Sequence, residues 1–288
     1  MRRFRTAMVV SLAVLAASCG RLADGGDGGP GSGGIAYATG SSDLVLRVDM
    51  VGGFVPPQYV LTSVPTFSLY GDGTAIFTGP QIEIYPSPAL PPVLSSRLTG
   101  SGMQKVLEAA RDAGLFVDAS YDDFCGVADV GSTVFTTTVE GATHTVSAYA
   151  LGFDGCTDNV EARATLFAFL GTLTDLSWLE SEMDVVGPTG PYAYTSMAIF
   201  VEPYAPYDDP TLPQQEVAWP LATPLASFGG DPISGLETRC GVVTGADLET
   251  LRPLFESTNQ MTPWTSEGER WHLALRPLLP DETACPTL

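Results

Sequence analysis

The sequence predicts an α+β fold in which antiparallel β-hairpins pack with short amphipathic helices, arranged as two small, disulfide-stabilised α+β units. Three observations carry that expectation. Two stretches alternate apolar and polar residues around turn chemistry, "TFSLYGDGTAIFTG" (66–79) and "STVFTTTVEGATHTVSAYAL" (132–151). Two more repeat apolar residues at helical intervals, from Ser101 to a stop at Gly114 and from Asp158 to Leu173. Beyond residue 40 the chain has four cysteines, Cys125, Cys156, Cys240 and Cys285, an even number that suits disulfides in an oxidising compartment.

The first residues set the location. Arg2, Arg3 and Arg5 precede an uncharged apolar run, Ala7 to Ser18, and Ala16, Ala17 and Ser18 lead into Cys19. That is the layout of a secretory signal peptide. The run is about a dozen residues, short of the ~20 that a bilayer core requires. An ordinary signal peptide has no need of a cysteine at its end. "LAASC" resembles the lipobox of bacterial lipoproteins, with Ala16 standing where Leu is usual. The resemblance implies a lipidated Cys19 that becomes the new N-terminus. "LADGGDGGPGSGG" then reads as a mobile tether, because Gly-rich chain has little to bury. The expected layout is a signal peptide at 1–18, a tether at 19–40, one α+β unit at 41–183 and a second at 184–288.

Within the first unit, "DLVLRVDMV" (43–51) alternates as a strand. The 66–79 hairpin follows, turning at Gly71-Asp72-Gly73. "EIYPSPALPPV" cannot be a central strand, because proline removes ladder donors. Ser101 and Gln104 have capping-box spacing, and Met103, Val106, Leu107 and Ala110 follow on one helical face. The second hairpin turns at Glu140-Gly141. Asp158 and Glu161 are expected to cap the next helix, whose apolar face would be Leu166, Phe167, Leu170 and Leu173.

A crossing segment is expected at 184–194. After it, "TSMAIFVEPY", "EVAWPL", "TRCGVV" (238–243) and "RWHLALRPLL" (270–279) read as strands. Between the last two, Leu248, Leu251 and Phe255 mark a short helix that Pro253 is expected to bend or end. Thr99-Gly100 and Thr244-Gly245 each precede a helix, a pattern that an internal duplication would leave.

The chain carries 13 basic and 33 acidic residues, a formal charge of −20. Cleavage before Cys19 removes three arginines and no acid, leaving −23. Such a surface repels phosphates, so no nucleic acid partner is expected. Four cysteines allow three pairings. Cys125–Cys156 with Cys240–Cys285 is preferred because each bridge then stays inside one unit.

"YVLTSVPTFSLYGDGTAIFTGP", "GMQKVLEAARDAGLF" and "STVFTTTVEGATHTVSAYAL", with "RCGVVTGADL", "MTPW" and "RPLLPDETAC" further on, are similar to hypothetical secreted lipoproteins of actinobacteria. The resemblance spans most of residues 43–285. It implies a membrane-anchored location and brings no catalytic residue with it.

Candidate sites are few. A catalytic histidine needs a carboxylate orienter and a nucleophile or water. His144 lies in a Thr-rich strand with Ser147 on its opposite face, and His272 lies beside Trp271. Both are expected to be structural. G-x-S-x-G, H-E-x-x-H and P-loop motifs are absent from the sequence, and no catalytic residue or cofactor is assigned. "DASYDDFCGVADV" offers Asp118, Asp122, Asp123 and Asp129 as calcium candidates, without EF-hand spacing and with a solvated loop as the default. Trp219, Trp264, Trp271, Tyr192, Tyr194, Tyr204 and Tyr207 either fill the second core or form a binding surface. The expected function is a lipid-anchored protein with a binding or structural role, its partners the membrane through Cys19 and a protein or envelope polymer. The alternative is a hydrolase of envelope polymer working through paired carboxylates.

Overall fold

Alternation and turn chemistry build most of the first unit, which is α+β as expected. The computed structural model describes residues 34–123, 125–179, 183–206, 212 and 214–287; the signal segment, Cys19, Tyr207 and most of the tether lie outside them. In chain order come β1 (Leu44–Gly52), α1 (Pro57–Thr62), β2 (Phe67–Tyr70), β3 (Thr74–Thr78), β4 (Val93–Arg97), α2 (Gly100–Asp112), β5 (Ala119–Tyr121), β6 (Gly131–Val139), β7 (Ala142–Tyr149) and α3 (Val160–Thr174). With β8 (Gly190–Pro191) the strands form an eight-stranded sheet in the order β5-β7-β6-β1-β2-β3-β4-β8. The β6–β7 hairpin turns on Glu140 and Gly141, both at positive φ (53° and 78°), which matches the twist of the flanking strands. β8 comes from the 184–194 crossing, which pairs Leu94 with Pro191 at the sheet edge.

One face of this sheet is apolar and carries α2 and α3. Leu46, Val48, Phe67, Leu69, Phe77 and Phe135 meet Met103, Val106 and Leu107 from α2 and Leu166, Phe169 and Leu173 from α3. Both helices differ from expectation in detail. Thr99, not Ser101, caps α2: its hydroxyl accepts from the Gly102 N–H at 3.2 Å. Ser101 donates instead to buried Asp184, and Gln104 bonds the Ile35 backbone through both ends of its amide. α3 starts after Asn159 in a left-handed conformation with no side-chain cap, and it buries Phe169 where Phe167 was expected; Phe167 is exposed. Phe167 lies over Gly152, where a Cβ would sit 2.5 Å from its ring.

The second unit contains β9 (Ser196–Pro203), β10 (Val217–Ala218), β11 (Arg239–Thr244), α4 (Gly245–Ser257), β12 (Trp264–Ser266) and β13 (Glu269–Pro277). Its sheet order is β10-β12-β13-β9-β11. Met197, Ile199 and Val201 of β9 and Leu273 and Leu275 of β13 face α4, which contributes Leu248, Leu251 and Phe255. Trp219, Trp264, Trp271 and Tyr194 are buried in this core, so these aromatics are structural. Pro253 does not end α4, which runs on to Ser257. The carbonyl that Pro253 leaves without an amide belongs to Glu249; both residues are exposed, so water can take the place of the lost bond.

Candidate functional site

The two sheets meet through their other faces. Odd and even residues of a strand point to opposite sides, so Ala198, Phe200 and Glu202 of β9 and His272, Ala274 and Arg276 of β13 look away from α4. Ala198 and Phe200 pack against Leu61 of α1 and against Leu278, just past β13. The chain then crosses to the first sheet, where Leu279 joins Tyr70, Ile76 and Val93.

Two polar clusters sit in this junction. In the first, Arg47 of β1 donates to Ser68 (3.1 Å), to the Tyr70 hydroxyl (3.0 Å) and to Asp281 (2.8 Å). Tyr70 donates to the same Asp281 oxygen at 2.7 Å. Burial by itself would raise the Asp281 carboxyl, but the bonds from Arg47 and Tyr70 outweigh it and hold it below the usual range. Burial first, and then the bond to Asp281, push the Tyr70 hydroxyl far up. Asp49, on β1, is raised by burial. Beside them Arg276, almost fully buried, grips both oxygens of Glu282 at 2.7 and 2.8 Å and donates to the Ser63 carbonyl at 2.7 Å. Asp281 and Glu282 are thus each held by an arginine, an arrangement that neutralises these two carboxylates rather than freeing them as acid or nucleophile.

In the second cluster, His272 Nδ1 lies 2.7 Å from Glu202 Oε1 and Nε2 lies 2.7 Å from the Gln260 carbonyl. Neither partner can donate a proton, so both ring nitrogens must, and the ring is an imidazolium. Burial opposes that charge, but the bonds to Glu202 and Gln260 outweigh it and the pKa stands above 6.5. Glu202 is lowered, first by the His272 bond, and it also accepts from Thr238 at 3.3 Å. His272 borders a shallow hollow of about 250 Å³ lined also by Tyr85, Tyr204, Met261 and Gln260. With both nitrogens donating, the ring has no lone pair for a substrate proton.

The other predicted residues lie apart. His144 stands 4.0 Å from Asp118, whose carboxylate accepts from the Thr145 N–H. Asp122 bonds Ser120 and Ser147, Asp123 bonds Asn159, and the Asp129 carbonyl accepts from Phe54. The four carboxylates do not converge as the calcium reading requires; among the described residues no group of three His, Cys, Asp or Glu could hold a metal ion. Cys125 pairs with Cys156 and Cys240 with Cys285. Buried Arg163 donates to the Tyr121 and Tyr149 carbonyls and, at 3.0 Å, to Cys156 Sγ. No helix among the described residues is long and apolar enough to cross a membrane.

Sequence reasoning missed Glu202, Arg47 and Asp281. Glu202 was open to detection as an acid ending an apolar strand, and Arg47 as a cation inside an alternating one. Comparison of the chain with protein-family models, with curated proteins and with solved structures finds no match to any of them.

Proposed function

We propose that this chain is a lipid-anchored extracytoplasmic protein that acts by binding a protein or envelope-polymer partner rather than by catalysis. The observation that carries the binding reading is the two-sided capping of His272, together with Asp281 and Glu282, each held by an arginine. His272 and Glu202 tie β13 to β9, the Arg47–Asp281 pair ties the segment after β13 to the first sheet, and none of these groups is poised for proton transfer. The location draws support from the two disulfides, which fit an oxidising compartment, and from the resemblance of the first twenty residues to a lipoprotein signal.

The test has two arms. Metabolic labelling with a tritiated fatty acid should label the wild-type chain and leave Cys19→Ala unlabelled; a wild-type chain that takes up no label refutes the anchor. Incubation with isolated envelope polymer should leave the polymer intact. Release of soluble fragments would establish the hydrolase instead.

A further inference from the structure

We propose that the tip formed by Met50 to Val60 is a membrane-docking face that seats the folded body on the lipid surface. The proposal rests on the lipid-anchor reading for its setting.

At the end of β1, Gly52 and Gly53 both take positive φ (76° and 83°) and swing the chain outward into "FVPPQYV". Phe54, which follows them, is 88% exposed. Met50, Val51, Val55, Tyr59 and Val60 are exposed around it. α1 buries only Leu61 and turns the rest of its apolar side chains to solvent. A chain with 33 acids places no charged side chain between Asp49 and Asp72. Single exposed apolar residues are ordinary, but a contiguous group of them marks an interaction surface.

The shape and the backbone favour lipid over a protein. Protein interfaces gather their anchors in well-packed central pockets with a polar rim. Here the most exposed of the large apolar side chains, Phe54, has no such packing around it. Apolar surroundings tolerate backbone only where its donors are satisfied. Several donors of the tip meet that condition: the Phe54 N–H is bonded to the Asp129 carbonyl at 2.9 Å, Tyr59 and Val60 donate to the Pro56 carbonyl, and Pro56 and Pro57 have no N–H.

Reach is sufficient. The first described residues hold the far end of the sheet, where the Ala36 carbonyl accepts from Glu140 at the β6–β7 turn. β6 spans nine residues from Gly131, beside the tip, to Val139, a run of about 26 Å. Residues 20–33 can extend to about 48 Å. A body tethered at Cys19 can therefore lay its opposite end on the same lipid surface, where the tip adds its own affinity to that of the anchor.

The experiment uses the chain from residue 19 onward with Cys19→Ser, unlipidated and with both disulfides formed; every packed element described lies within it. Flotation with phosphatidylcholine vesicles is the readout, with near-UV circular dichroism to show that variants stay folded. The wild-type chain should float with the vesicles. Phe54→Ser should weaken that association about 10-fold or more, the factor for one aromatic ring kept in water. Tyr59→Ser should weaken it less, and Phe167→Ser, on a different exposed apolar surface, not at all. Failure of the wild-type chain to float, or equal flotation of Phe54→Ser, overturns the proposal. So does a result in which Phe54→Ser abolishes self-association or capture of an envelope protein while the vesicles bind nothing. Because this chain has no lipid, its outcome is independent of the fatty-acid labelling that tests the anchor.

Discussion

The Asp281 carboxylate, near the C-terminus, lies 2.8 Å from the Arg47 guanidinium in the first strand of the fold, 234 residues away in sequence. The pair is largely shielded from water and shares its acceptor oxygen with the Tyr70 hydroxyl. Changing Asp281→Asn should therefore cost about 2 kcal/mol, between the value of an exposed pair and the penalty for orphaning a buried one. Urea titration should show a lower midpoint with an unchanged slope. Because the folded pKa of Asp281 is depressed, its stabilisation is present above the unfolded value and fades as pH falls through the folded one. The variant should lose that part of the acid sensitivity.

His272 imposes the opposite pH dependence. Its folded pKa is raised above 6.5, so the stabilisation is complete below that value and is lost as pH rises through the folded pKa. Glu202, lowered from 4.5, contributes above that value and loses its contribution in acid. The melting temperature should decline as pH rises above 6.5 and through the raised pKa of His272, and His272→Asn should flatten that limb. A wild-type curve already flat there would refute the imidazolium assignment.

Non-reducing peptide mapping should yield Cys125 joined to Cys156 and Cys240 joined to Cys285. Replacing the second pair by serine should cost about 4 kcal/mol in the chain-entropy model, for a sequence separation of 45. A cross-linked peptide joining the two units would contradict the fold.

Two turn glycines should respond differently to alanine. Gly141 is at φ 78° with nothing within 4 Å of an added Cβ, so Gly141→Ala should cost about 1 kcal/mol of backbone strain alone. Gly73 is at φ 89° and an added Cβ would stand 2.3 Å from the Leu98 carbonyl oxygen. Gly73→Ala should cost more than about 3 kcal/mol, since the strand it touches must move. Thermal denaturation of the two variants side by side decides the matter.

What was legible in the sequence was local. The hairpins at 66–79 and 132–151 announced themselves because their turn residues and their alternation agree. A third, β12–β13, uses the same device: Glu267 and Gly268 at positive φ repeat the Glu140-Gly141 turn, but β12 has only three residues to alternate. What failed was decided across the fold. Ser101 and Gln104 have the spacing of a cap, yet Asp184 and the Ile35 backbone recruit them for other bonds. The place of β1 between β2 and β6 depends on pairing Leu46 with both Leu69 and Thr137, which no short window reveals. Glu202 and His272 meet only because β9 and β13 are antiparallel in one register.

The segment from Leu278 to Cys285 touches both sheets: Leu279 enters the first, Glu282 holds Arg276 of the second, and Cys285 closes onto β11. During synthesis it emerges after every strand of both sheets. β1 to β7, with α2 and α3, can assemble while it is still being made, because their partners precede it. The joining of the sheets cannot, and growth of the chain therefore separates folding into an early step that builds each half and a final step that unites them.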